Sequence, residues 1–442
     1  MIFDVVIVGG GPAGFFAAIH CAQCALALSG TQPRVLIFEA GSQVLGKVRI
    51  SGGGRCNVTH AAFDLQTFSG RYPRGSRELL GPLSRFGPRE TFDWFERRGV
   101  KLKVESDRRV FPVSNKSQSI VDALVSEADR LGVQVETNCK VTDVAHEREG
   151  DQPLFRVDVA KRGHFSSRRL MLATGASQRA LDWAQMLGDH RVVPLVPSLF
   201  SFTVCPERHA WLLELAGIAI PEAEVSFAEP SAQPASRATL NGPALKETGP
   251  LLISHSGITG PAVLALSAFG ARVFCERKYR FTAQLNFIPS FGPFTEVMES
   301  WRKSSGRRLG ILTRNPFMLP RRLWAALVTK VARIHSTQNY ANLSAAEMKR
   351  LGDALTRCEL HIVGRSPFKE EFVMAGGVDL RDVNMASCES KRVPGLYFGG
   401  EVLDVDGVTG GFNLQNAWTT GYCAGVAMGA AIAHPREAPL AK

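Results

Sequence analysis

The sequence predicts an α/β fold: a parallel-sheet domain interrupted by an inserted β-rich domain with an adjoining helical segment. Three observations predict it. The chain opens on an apolar strand, a glycine turn, a helix-patterned run and a second strand, the order of a βαβ unit. From Val192 the texture changes to short strands between Pro- and Ser-rich turns. From about Phe368 strand, glycine turn and long helix return, so the first domain resumes. The 442 residues exceed one simple core. The expected division is 1–191 and 366–442 for the two parts of the first domain, 192–293 for the β-rich insert and 294–365 for its basic helical part.

Taken in order, residues 2–8 are β-rich with little alternation, as suits a strand buried on both faces. "GGGPAGFFAAIHCAQCALAL" reads as turn and helix, and "RVLIFEA" as the next strand, from Arg34 through Glu39. Residues 89–99 and 117–132 carry helical periodicity. Short strands follow Gly132, and "RLMLATGAS" from Arg169 is a strand ending in a tight turn. The insert runs as strands to about Pro289, then as helices from Phe294 to about Gly352. "GLYFGGEVLDVDGVTGGFNLQNA" closes the pattern with a strand, a loop and a glycine turn that opens the last helix.

Composition excludes several classes. Hydrophobic residues make up 45% and charged residues 21%, as in ordinary globular proteins. No membrane span is expected; the nearest apolar stretch, "GITGPAVLALSAFGARVF", holds Pro261 and Arg272. The opening "MIFDVVIVGGG" has no basic lead and reads as a strand rather than a signal peptide. Nine cysteines without paired spacing fit a cytoplasmic protein, and "CAQC" falls inside a helix pattern as packing. No Cys/His spacing predicts a metal site, and neither GxSxG nor a phosphate-loop GxxxxGK[ST] occurs.

Net charge is +11 and concentrated: twelve Lys or Arg against three acids from Trp301 to Leu360, and eleven against six from Arg71 to Arg109. A solvated basic surface and a surface for a polyanion such as RNA both account for this. Arg302, Lys303, Arg307, Arg308, Arg321 and Arg322 crowd one segment.

The chemistry-bearing motif is Gly9-x-Gly11-x-x-Gly14, between a strand and a helix, with Glu39 ending the next strand. The glycines allow a tight turn and a close pyrophosphate, the helix start offers free N–H groups, and Glu39 can accept from ribose hydroxyls. A second glycine turn and helix start, Gly410 to Asn413, can set positive dipole at a flavin's N1/O2 edge. Two such blocks favour FAD over a simple NAD site. No second GxGxxG exists for a stably held nicotinamide, so NAD(P)H is expected to dock transiently.

The blocks "VIVGGGPAGFFAA", "LGKVRISGGGRCNVTH", "RRVFPVSNKSQSIVDAL", "LATGAS", "SHSGITGPAVL" and "ESKRVPGLYFGGEVLDVDGVTGGFNLQNA" span nearly the whole chain in this order. With them the sequence resembles the BaiN/RdsA family of NAD(P)/FAD-dependent oxidoreductases. It departs at His60, where that family usually reads Asn, and at Ala176, where it reads Gly. The resemblance implies a glutathione-reductase-like, Rossmann-like FAD-binding domain interrupted by the insert. It implies reduction of activated C=C bonds, on a uracil of large-subunit ribosomal RNA or on a small-molecule enone. A related branch oxidises amines, and a non-catalytic flavin-dependent RNA- or ribosome-binding protein is the reading from another class.

The FAD contacts the resemblance implies are Gly9, Gly11, Pro12, Ala13, Gly14, Glu39, Ala40, Lys47, Ser51, Gly52, Gly53, Gly54, Arg55, Asn57 and Val141, then Ala173, Thr174, Gly175, Gly400, Glu401, Asp406, Gly410, Gly411, Phe412 and Asn413. In "SGGGRCN" the glycines let backbone approach the cofactor, Lys47 and Arg55 neutralise phosphate, and Asn57 bonds the flavin or its ribityl chain. Cys56 is either a proton donor to a reduced carbon or a small residue filling space. His255 is either a proton donor or a packed or solvent histidine. His60, Thr59 and Asn241 are weaker candidates.

Overall fold

A computed structural model of the chain describes residues 2–149, 152–228, 245–303, 308–366 and 373–434. It divides into two compact units, Met1–Val196 with Val373–Lys442, and Pro197–Phe372.

The first unit is built on a seven-stranded sheet. Its parallel strands are β1 (Val5–Val8), β2 (Val35–Phe38), β3 (Gln134–Glu136), β4 (Leu170–Leu172) and β5 (Leu396–Phe398), in the spatial order β5-β4-β1-β2-β3. Two short antiparallel strands, Val383–Asn384 and Glu389–Ser390, extend the β5 edge. The register is flush: Phe38 pairs Val8, Val8 pairs Leu172, and Leu172 pairs Phe398. Four carboxyl ends therefore finish in one row. β1, all valine and isoleucine, is wholly buried, which is why it shows no polar alternation.

Helix α1 (Pro12–Ser29) follows β1, and helix α2 (Phe412–Ala433) closes the unit. They pack backbone to backbone because α2 carries glycine at every fourth position where they meet. A Cβ on Gly421, Gly425 or Gly429 would lie 2.7, 2.5 or 2.6 Å from the carbonyl oxygens of Ala13, Ala17 and Cys21. Cys21 and Cys24 sit on α1 as helix positions, with Cys21 buried. Among the described residues α1 is the one helix long and apolar enough to cross a membrane by length and composition, and it is mostly buried here. The stretch singled out from sequence folds instead as two short helices, Pro261–Phe269 and Ala271–Glu276.

The second unit is a closed six-stranded antiparallel barrel, in the order Phe202–Val204, Gly257–Thr259, Lys246–Ile253, Ala219–Ala228, Phe281–Asn286 and Cys358–Arg365. The segment expected to be the insert's helical part, 294–365, is not helical throughout. Cys358–Arg365 is a barrel strand, and the helices Phe294–Lys303, Arg321–Ala326 and Ala345–Thr356 share the barrel's core. Leu323, Trp324, Leu351 and Leu355 pack in one apolar cluster with Val225, Leu285 and Leu360. A pattern change from strand to helix marks a change of local structure, and only burial decides whether the parts share a core.

Candidate cofactor site

The flush strand ends place Gly9, Glu39, Ala173 and Gly399 along one edge, where parallel α/β sheets bind ligands. The three motif glycines have three different reasons. Gly9 has φ +117°, and a Cβ there would be 2.4 Å from the Ala173 carbonyl oxygen. A Cβ on Gly14 would be 2.1 Å from the Gly9 oxygen, so α1 could not lie this close to its own turn. Gly11 would meet nothing within 4 Å and has an ordinary extended backbone. Space in front of Gly11 is open in the folded chain, so that glycine is needed by something that arrives.

What arrives is set by α1. Its first turn has Pro12 at the start, no side-chain cap and no acid, and Ala13 and Gly14 follow. Uncapped N–H groups and the helix dipole favour an anion there. Beside it, Glu39 accepts from the Gly10 N–H at 2.9 Å and the Gly41 N–H at 2.7 Å. Each carboxylate oxygen keeps a lone pair for a hydroxyl. Ala40 is exposed at this turn. Gly41 and Glu39 also accept from the N–H groups of Asn138 and Cys139, both at 2.8 Å, which brings the chain leading to Val141 alongside.

At the β4 end Ala173 and Thr174 lead into Gly175, with φ +70°. Glu401 approaches: its carboxylate would be 3.9 Å from a Cβ on Gly175. Lys47 forms an ion pair with Glu401, which puts two expected site residues in one contact. Gly400, φ +73°, donates its N–H to Thr420 at 2.9 Å.

The loop "SGGGRCN" is joined directly to the start of α2. Gly52, Gly53 and Gly54 are all left-handed, with φ of +59°, +67° and +81°, a run that side chains would strain. A Cβ on Gly52 would strike Phe111 at 2.8 Å, whereas Gly53 and Gly54 face open space. Ser51 bonds the Val48 carbonyl at 3.1 Å. Asn57 donates to the Thr59 carbonyl at 3.1 Å and accepts the Gly411 N–H at 3.0 Å. Thr59 bonds Gln415 at 2.6 Å, and Trp418 donates to the Val58 carbonyl at 3.0 Å. Gly411 is required by this contact, since a Cβ there would lie 2.6 Å from the Thr59 backbone, and Gly410 before it has φ +125°.

Several expected roles change. Cys56 is fully buried in the core of the first unit, and burial pushes its thiol up to about 12, so it packs rather than donates protons. Arg55 is spent on Glu105, at 2.7 Å, and on the Phe111 face, at 3.9 Å, instead of on a phosphate. Asp406 is completely buried and gripped by both arms of Arg74, which removes it from any ribose. The Asn57 amide holds the chain together rather than a flavin. The Asn413 amide is taken by Gly407, donating to its carbonyl and accepting its N–H, and leaves only backbone at the helix start. Phe412 packs between Phe68, Tyr72 and His60. His60 stacks on it at 4.9 Å, and burial lowers the imidazole's pKa.

His255 lies in the second unit, exposed in the turn between Lys246–Ile253 and Gly257–Thr259. Asn241 and Arg307 lie outside the described residues. Sequence reading missed Arg74, Phe111 and Gln415. Their partners are distant in the chain; Phe111 and Gln415 lie inside the quoted blocks, whereas Arg74 comes with no motif to mark it. The glycine cradle, the uncapped helix start and the Glu39 carboxylate fit the diphosphate and ribose of FAD.

The family model described as the HI0933-like protein Rossmann domain matches residues 3–427. The ribosomal RNA dihydrouridine synthase of Escherichia coli (strain K12) is 28% identical over 428 residues, covering 95% of this chain and 96% of that protein. The 3-dehydro-bile acid delta(4,6)-reductase of Clostridium scindens is 29% identical over 436 residues, covering 95% and 97%. Among solved structures, the 3-ketosteroid-delta4-(5alpha)-dehydrogenase of Rhodococcus jostii RHA1 aligns with a TM-score of 0.49 at 14% identity, over 97% of this chain and 96% of that one.

Proposed function

The chain belongs to the HI0933-like Rossmann family of FAD-dependent oxidoreductases, and from that premise we propose that it reduces an activated C=C bond with NAD(P)H as electron donor. A uracil of ribosomal RNA is the first substrate reading and a small enone the second. The observation that carries the flavin reading is the row of strand ends, with its open space at Gly11, its uncapped helix start and its poised Glu39. The named relatives support C=C reduction, since one acts on ribosomal RNA and another on a bile acid.

FAD supplies the hydride-carrying ring. The start of α1 binds its diphosphate, and Glu39 orients the adenosine ribose. Lys47 and Glu401 form a charged contact beside the β4 end, where Lys47 is half exposed and can turn to an incoming anion. Asn57 fixes the α2 start by holding the Gly411 N–H. The RNA reading is supported by the basic charge, of which Lys303, Arg308 and Arg321 are exposed. Arg302 and Arg322 instead bond the carbonyls of Ala341 and Glu214, at 2.8 and 2.7 Å.

The test is anaerobic reduction of the FAD-loaded protein by NADH or NADPH, then reoxidation by an unfolded ribosomal RNA fragment or by a 4-en-3-oxosteroid. The product should gain the mass of two hydrogens. Substituting Lys303, Arg308 and Arg321 with Glu should slow the RNA reaction only. A flavin that neither donor reduces, or neither acceptor reoxidises, refutes the reading.

A further inference from the structure

The barrel unit carries a cleft of its own. A cavity of about 360 Å³ opens where the strands Phe281–Asn286 and Cys358–Arg365 pair. Arg208, Arg280, Thr282 and His361 line it, while Phe281 and Ile362, the neighbouring cross-strand pair, turn their side chains to the other face and into the barrel core. Thr282 and His361 are direct cross-strand partners, so their side chains stand together on one face. Both arginines are exposed, and neither has a carboxylate partner among the described residues. Glu207, beside Arg208 in the chain, does not line the cleft and accepts from the Cys205 thiol at 3.0 Å.

The His361 ring is held in place. His209 Nε2 accepts the His361 backbone N–H at 2.9 Å, so it carries no proton, and His361 Nδ1 lies 3.2 Å from that same atom. Burial, and then the charges of His361 and Arg208, lower the His209 pKa and keep it in this accepting form.

We propose that this cleft binds a phosphate ester. Two guanidiniums without a carboxylate partner and a lining without an acid, among the described residues, select an anion, and their forks match phosphate oxygens. The volume exceeds a bare ion and suits a nucleotide-sized group. Thr282 adds a hydroxyl that can donate to a phosphate oxygen. The site stands whether or not the enzyme's substrate is RNA. Two sources carry this chemistry: the backbone of a nucleic-acid strand, and the extra phosphate that distinguishes NADPH from NADH.

The experiment uses the full FAD-loaded chain and its Arg208→Glu/Arg280→Glu variant. One arm is anisotropy of a short fluorescein-labelled single-stranded RNA across a salt series. The other is KM for NADPH and for NADH in flavin reduction. Loss of one charged hydrogen bond should weaken the responsive arm by about tenfold or more. An RNA response should also flatten the salt slope by about 0.7 per lost contact and identifies strand phosphate. A raised NADPH KM with unchanged NADH KM identifies the dinucleotide. Arg208→Lys/Arg280→Lys, which keeps the charge and loses the forks, should bind more weakly than wild type and more tightly than the reversal, and Arg208→Ala/Arg280→Ala replaces the reversal if that protein loses FAD or melts early. Equal behaviour of wild type and variant in both arms overturns the proposal. Flavin absorbance and NADH oxidation, read in the same samples, separate that outcome from failure of the oxidoreductase reading.

Discussion

Gly11 and Gly14 belong to one motif, yet the structure assigns them opposite consequences. Gly11→Val adds atoms to open space, on a backbone with φ −87° and ψ −175° that any residue adopts. Folding stability should change by no more than about 0.5 kcal/mol, as at other unencumbered positions. The added branch should occupy the place of the diphosphate and break at least one charged hydrogen bond to the helix start. At about 1.5–3 kcal/mol per bond, FAD affinity should fall about 10- to 150-fold. Gly14→Ala forces a carbon to 2.1 Å from a backbone oxygen. Neither atom can rotate away, so overpacking should cost about 1–3 kcal/mol of stability before cofactor is considered. Thermal unfolding of FAD-stripped protein, paired with absorbance titration of FAD, reads both effects. Gly11→Val should melt like wild type and bind poorly, and Gly14→Ala should melt early. Wild-type FAD affinity in Gly11→Val, or equal loss of apo stability in the two variants, would refute the assignment.

Three further outcomes follow from side chains already placed. Cys56→Ala should keep FAD and lose less than about tenfold in turnover, because the thiol is core; a loss near 10²–10⁴ would restore it as a general acid. Asp406→Ala should destabilise the first unit by about 3–5 kcal/mol in chemical denaturation, since it leaves the Arg74 guanidinium, itself mostly buried, without its carboxylate; a change below 1 kcal/mol on the same scale would show the pair to be idle. The third outcome concerns acid. Arg130 first, and then Arg98, hold Glu127 down at about 2 against an ordinary 4.5. A depressed carboxylate stabilises the fold above its unfolded pKa and loses that contribution as pH falls through the folded one. Glu127→Gln should therefore be less stable than wild type at pH 7, and the gap should close between about pH 4.5 and 2; a gap independent of pH would rule out this role.

The α/β class, the cofactor-binding βαβ unit and the return of the first domain near the C-terminus were legible in the sequence, because they rest on local periodicity and on glycine spacing at Gly9, Gly11 and Gly14. Glu39 was legible for the same reason: it ends a strand whose position the pattern sets. "SGGGRCN" was visible as an unusual backbone, but its residues' tasks were not. Gly52, Gly53 and Gly54 need left-handed φ in succession, whereas Cys56, Arg55 and Asn57 turn inward to the core, to Glu105 and to Gly411. Such roles depend on partners far away in sequence, as Asp406 depends on Arg74. The return of Cys358–Arg365 as a barrel strand within the segment read as helical was likewise beyond local pattern. A sequence displays what each segment prefers, through sterics and hydrophobic period. Which polar groups remain free for chemistry is settled only when tertiary packing has satisfied the rest.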